Sequence, residues 1–133
     1  MESQVITDAQ ITASTQWNNN SPAKSARLKL GGWVAGAVDP QQWLQVDLGT
    51  YSTVTAVATQ GVNLQGWQKS WTASYHLQYS DDGVTFHFYK EPGETVPKVY
   101  TGSNIKSNLK RSYLTLQNVF ACSCYCCSLS WVS

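Results

Sequence analysis

A period of two runs through the middle of this chain, and no other feature narrows the possible folds as much. Trp43-Leu44-Gln45-Val46-Asp47-Leu48 puts Leu44, Val46 and Leu48 on one face and ends at Gly49. Residues 53–60, Thr-Val-Thr-Ala-Val-Ala-Thr-Gln, are rich in β-branched side chains and stop at Gly61. Residues 75–79 set Tyr75, Leu77 and Tyr79 against His76 and Gln78. Residues 84–90 set Val84, Phe86 and Phe88 against Thr85, His87 and Tyr89. Successive strand side chains point to opposite faces, so this spacing suits half-buried strands; a helix needs apolar positions every three or four residues. Almost no segment has the helical spacing. Asp81-Asp82-Gly83, between the last two runs, predicts a hairpin, because Asp-Gly accepts the positive φ that matches strand twist. Another strand is expected at 96–101, with Pro97 at an edge, since proline cannot donate to a ladder. The pattern predicts an all-β antiparallel sandwich or barrel.

Composition excludes several classes. At 133 residues, 42% hydrophobic and only 13% charged, the chain is too apolar for disorder and of a size for one domain. A net charge of +1 with no basic stripe argues against nucleic acid as a partner. No apolar run reaches 18 residues, so no segment is long enough for a membrane helix. Met1-Glu2-Ser3-Gln4 carries neither a basic region nor an apolar stretch, so no secretory signal is read there. Cys122, Cys124, Cys126 and Cys127 crowd into six residues and cannot staple distant parts of the chain. Cys124 and Cys127 form one C-x-x-C without a second ligand pair, so neither a zinc site nor any other metal or cofactor is expected.

Three connections are long: 16–27, 31–42 and 61–73. Each carries tryptophan among glycine, asparagine and serine. Long loops in a compact domain are usually functional. A large ring in such a loop either pins it down or meets a ligand.

Several segments resemble the discoidin domain, the type C domain of coagulation factors V and VIII. They are Ile11-Thr12-Ala13-Ser14-Thr15-Gln16-Trp17, Ala26-Arg27-Leu28, Trp43 to Gly49, Val54-Thr55 with Ala58-Thr59-Gln60-Gly61, and Tyr79 to Gly83. Their order and spacing match from Met1 to about Gly102. The resemblance implies a galactose-binding-like jelly-roll sandwich of eight strands, with loops called spikes gathered at one end as the ligand site. It further implies an extracellular or cell-surface setting. Members of the family bind phosphatidylserine membranes, galactose-type sugars, collagen or growth factors, so the fold does not name the ligand.

Two departures from the family are visible. The cysteine expected just before residues 1–3 is missing, and Ser103 to Ser133 does not resemble the closing strands. The chain therefore reads as a discoidin-type domain over 1–102 followed by a divergent cysteine-containing tail over 103–133. Lost closing strands would leave unpaired sheet edges and marginal stability, unless residues 113–120 substitute as a strand.

The spike residues are the candidates for binding. Trp17, Trp33 and Trp67 would supply stacking faces; Asn18, Asn20 and Gln65 would supply hydrogen bonds. Trp33 and Val34, between glycines, form an expected apolar tip; Leu64 and Lys69 flank the third spike. Asn19-Asn20-Ser21 is an N-glycosylation sequon at Asn19. Trp43 reads as core, and His76 and His87 as solvated. Within the resemblance, the acidic residue with which neuropilins hold a C-terminal arginine falls at Val38, so that capture is not expected.

The leading expectation is a non-catalytic extracellular adhesion module holding a glycan or protein through its spikes. The alternative is peripheral binding to phosphatidylserine membranes, with Trp33, Val34, Leu64 and Trp67 entering the interface and Lys24 and Lys69 meeting headgroups. A third reading is a targeting domain detached from a catalytic protein, since no nucleophile, P-loop or zinc motif is present.

Overall fold

The structure is a computed structural model, and it describes residues 6–27, 32–60, 62–64, 68–70, 74–101, 104–120 and 126–132. Among these residues ten strands run in chain order: β1 (Ile11–Ala13), β2 (Trp33–Val34), β3 (Trp43–Gln60), β4 (Val62–Leu64), β5 (Gln68–Ser70), β6 (Ser74–Ser80), β7 (His87–Phe88), β8 (Val99–Thr101), β9 (Asn104–Phe120) and β10 (Cys126–Val132). Two single 3-10 turns, Asp8–Gln10 and Ala23–Ser25, are the other regular elements among the described residues. All pairings are antiparallel. The architecture is the all-β jelly roll that the alternation and the resemblance lead one to expect.

β3 is the organising strand, because it serves two layers. Its first part, Trp43–Asp47, pairs with β1 on one side and with Tyr113–Gln117 of β9 on the other. Its second part, from Ser52, pairs with Asn104–Arg111 of β9 and with β10. The register breaks between Asp47 and Ser52, where Gly49 sits at φ 75. That left-handed conformation is open to glycine at little cost. Asp47 closes the corner: its Oδ1 accepts the Gly49 N–H at 2.7 Å, and its carbonyl accepts Gln10 Nε2 at 2.9 Å. A second register shift lies between Val54 and Ala56. A bulge resets side-chain parity, which is how Val54 and Val57, three apart, both face inward.

The core draws on both layers. Leu44, Val46, Ile11, Tyr75 and Leu77 meet Val54, Val57 and Trp33 in one cluster. Burying each aliphatic side chain stabilises the fold by about 1.5–3 kcal/mol before chain entropy is counted. Trp43 does not join it. It is only half-buried, because alternation sends Leu44 inward and Trp43 outward. This corrects its assignment to the core.

The expected loss of closing strands is also corrected. β9 lies between β3 and β6, and β10 lies between β3 and β2. Residues 104–120 and 126–132 are thus part of the same sheets and not a separate tail. Residues 113–120 do form a strand, within the longer β9. β9 satisfies the ladders of both neighbours and removes the unpaired edges expected of them.

The hairpin after β6 is looser than Asp-Gly alone predicts. The Asp82 carboxylate accepts the N–H groups of Val84 and Thr85, each at 2.8 Å, and Gly83 takes φ 73. This local capping draws residues 81–85 into the loop, so pairing starts only at Tyr79 with His87. Val84, expected on a strand face, is 82% exposed. β8 begins two residues after Pro97 and pairs with Ser74–His76.

Candidate functional site

Hydrogen bonds knit the first two long connections into one rim. β1 delivers Ser14 to the start of β3, where Ser14 N–H donates to the Trp43 carbonyl and Trp43 N–H donates to Ser14 Oγ, both at 3.0 Å. Three residues on, Trp17 N–H donates to the Val34 carbonyl at 2.8 Å. Val34 N–H returns to the Ser21 carbonyl at 3.4 Å. Thr15 Oγ1 accepts Gly36 N–H at 2.9 Å. A Cβ on Gly36 would stand 2.9 Å from the Gln16 carbonyl oxygen, so the two connections are pressed together where only glycine fits.

Gln42 locks this arrangement from below. It is 5% exposed. Its Oε1 accepts the Ser14 hydroxyl at 2.9 Å and that of Thr15, while its Nε2 donates to Asp39 Oδ2 at 2.9 Å. Asp39 Oδ1 accepts the Gln41 N–H at 2.8 Å. One buried amide therefore ties Ser14 and Thr15 of the first connection to Asp39 of the second. At the far end of the first connection, Arg27 donates to the Ile6 carbonyl at 2.7 Å and pairs with Asp8 at 3.0 Å.

The third connection starts at the same rim. Val34 and Trp33 pair with Cys126 and Cys127 of β10, and the next residue, Ser128, pairs with Gln60 at the end of β3. β4 and β5 follow as a hairpin, with Leu64 opposite Gln68 and Lys69 opposite Asn63. Both ends of β3 thus come together, through β2 and β10.

The candidate side chains do not share one fate. Trp17 is 51% exposed on this rim. Asn19 and Asn20 are exposed; Asn18 is half-buried, and its Oδ1 accepts the Asn20 N–H at 2.9 Å. Asn18 is therefore partly spent on holding its own turn. Trp33 and Val34 are not an exposed tip: they are 2% and 0% exposed. Trp33 joins the core cluster while Val34 is buried on the other face of the strand, and Trp33 Nε1 finds its partner in the Thr15 carbonyl at 2.6 Å. For Leu64 and Lys69 the backbone pairing is described; Gln65 and Trp67 lie outside the described residues. Val38, in the second connection, is 42% exposed and was not singled out as a binding residue. No periodicity marks it, since exposure there follows from where Gly36 and Asp39 turn the chain. His76 is less solvated than expected: Nδ1 lies 2.9 Å from the Lys98 carbonyl, and its ring meets Phe88 edge-on at 5.1 Å.

The family model for the F5/8 type C domain matches residues 10–121. That span includes β9, so the family pattern does not end at Gly102. The rat "Discoidin, CUB and LCCL domain-containing protein 2" is 38% identical over 113 residues, 77% of this chain but 15% of that protein. Wild-type discoidin II of Dictyostelium discoideum superposes with a TM-score of 0.73 at 18% identity, over 98% of this chain and 58% of that one. The family 32 CBM of Clostridium perfringens NanJ, solved in complex with galactose, gives a TM-score of 0.62 at 17% identity, over 95% and 96%. The two structural likenesses speak for the fold. The chain spans a small part of the rat protein that it matches.

Proposed function

The chain belongs to the F5/8 type C domain family, and on that premise we propose that it is a non-catalytic, extracellular adhesion module whose rim holds a glycan or a protein. One observation carries this reading: the Trp17 ring stands half in solvent while its own backbone is bonded to Val34. A ring carried on an anchored backbone loses less freedom on stacking than one on a loose loop, and aromatic anchors dominate binding energy. Asn19 and Asn20 beside it offer amides to hydroxyls. The galactose complex of the Clostridium perfringens module supports a sugar as the first ligand class to test. On an array of neutral glycans, Trp17→Ala is expected to weaken retention about tenfold or more. Unchanged retention, or binding to none of the glycans and to no protein ligand, overturns the reading.

Peripheral membrane binding is the second reading, supported by exposed Trp17 and Val38 with Lys24 exposed between them in sequence. It loses Trp33 and Val34, which are buried. The remaining apolar side chains would each add about 1.5–3 kcal/mol if fully inserted. Sedimentation with phosphatidylserine-containing vesicles, but not with phosphatidylcholine alone, would favour it over the glycan reading.

A further inference from the structure

We propose that a second ligand site, separate from the rim, lies at the β7 edge and takes one terminal acidic sugar unit. β7 and β1 occupy opposite edges of one layer, in the order β1, β3, β9, β6, β7. Four strand spacings, roughly 19 Å, separate them. A groove of about 510 Å³ opens at the β7 edge. That volume falls within the range of small-molecule sites, roughly 300–1,000 Å³.

Rings form the walls: Tyr79, Phe86, His87, Phe88 and Tyr89. They are held but not packed away. Phe88 is 39% exposed although its ring meets His76 at 5.1 Å. His87 is exposed although it tilts against Tyr79 at 5.8 Å. Tyr89 stacks on Tyr100 at 6.3 Å and backs the groove. Rings fixed in advance lose little freedom when a sugar face lies on them. Edge backbone adds polar groups. Tyr89 N–H donates to the Leu77 carbonyl at 2.8 Å, so strand alternation turns the N–H and C=O of Phe88 away from β6.

Charge selects the ligand class. Lys90 lines the groove and is exposed, and among the described residues no carboxylate lines it. The ion pairs among the described residues are Arg27 with Asp8 and Lys98 with Glu91; neither uses Lys90. Past Pro97 an adjoining hollow of about 280 Å³ is lined by Glu91 and Glu94. Lys98 neutralises Glu91 at 2.9 Å, and Glu94 has no ion pair among the described residues. A carboxylate is therefore drawn to the Lys90 end and repelled beyond Pro97. A polyanionic chain would meet Glu94, and a neutral sugar would leave Lys90 unused. An extended peptide would need more edge than the two residues of β7. A terminal sugar with one carboxylate satisfies each of these conditions.

The test is a titration of the whole 15N-labelled chain with sialyllactose and, separately, with lactose. Sialyllactose is expected to shift the amides of Tyr79 and Phe86 to Lys90; lactose is expected to leave them in place. Lys90→Ala should weaken that response about tenfold, equivalent to ~1.4 kcal/mol. A thermal melt of the variant should match the parent, because Lys90 is exposed and outside those ion pairs. Trp17→Ala should leave the response intact, which separates this site from the rim. Equal responses to both sugars, shifts confined to Trp17 and its neighbours, or no effect of Lys90→Ala would each overturn the proposal.

Discussion

Trp17 and Trp33 stand in connections of similar make-up, yet one residue is 51% exposed and the other 2%. The difference lies in what each backbone meets. Trp33 enters a strand beside β10, and alternation then points its ring into the core. Trp17 makes its backbone bond to Val34 from outside that strand, so its ring keeps a face to solvent. The lesson is that an aromatic in a polar loop carries no intrinsic role. The element it is captured by decides between anchor and platform.

The comparison predicts sharply unequal responses. Trp33→Ala is expected to cost about 3–5 kcal/mol, the range for emptying a large buried aromatic site, read by chemical denaturation. A cost under 1 kcal/mol would break the comparison. Gln42→Ala should come next, at about 1–3 kcal/mol, because it removes the buried amide that accepts the Ser14 and Thr15 hydroxyls and donates to Asp39. It should also weaken ligand retention at the rim while Trp17 is still present.

A smaller effect is expected from acid. The N–H groups of Thr85 and Val84, with the Ser80 hydroxyl, hold the Asp82 carboxyl down to about 2. A carboxyl that titrates lower when folded adds stability that is fully present above its ordinary value of 3.8. That contribution fades as the pH falls through about 2. Carbon-detected titration of the Asp82 carboxyl should show this midpoint, and Ser80→Ala should raise it. Smallest of all, Trp17→Ala should change stability by no more than about 0.5 kcal/mol, as for surface substitutions elsewhere. A large loss would show that Trp17 is an anchor like Trp33, and would remove the rim platform.

Much of the fold is legible in the amino-acid sequence. Alternation groups Leu44, Val46 and Leu48 on one face and Tyr75, Leu77 and Tyr79 on another; all are buried except Tyr79, which is half-buried. Alternation is a local signal, carried by neighbouring side chains. β9 was not legible as a whole, because Asn104-Ile105-Lys106-Ser107-Asn108 gives no clear alternation. Its place comes from backbone pairing on two sides, which leaves little mark on side-chain identity. The site was legible in part. Trp17 and the neighbouring asparagines were found from composition and spacing, whereas Val38 and the Gln42 lock were not. Gln42 looks like any polar loop residue until Ser14, 28 positions away, is brought against it.

The amino-acid sequence alone determined the strand class, the corner at Gly49, the turn at Asp82-Gly83 and the candidate first spike. Each depends on residues within a few positions of one another, where φ preference and side-chain direction act directly. The tertiary structure alone decided that Trp33 is core and that 104–120 and 126–132 close the sheets. It also brought both ends of β3 to one rim. Those outcomes hang on antiparallel registers between segments up to about a hundred residues apart, such as Cys127 with Trp33. Hydrogen bonding between backbones fixes such registers only when the whole chain has come together.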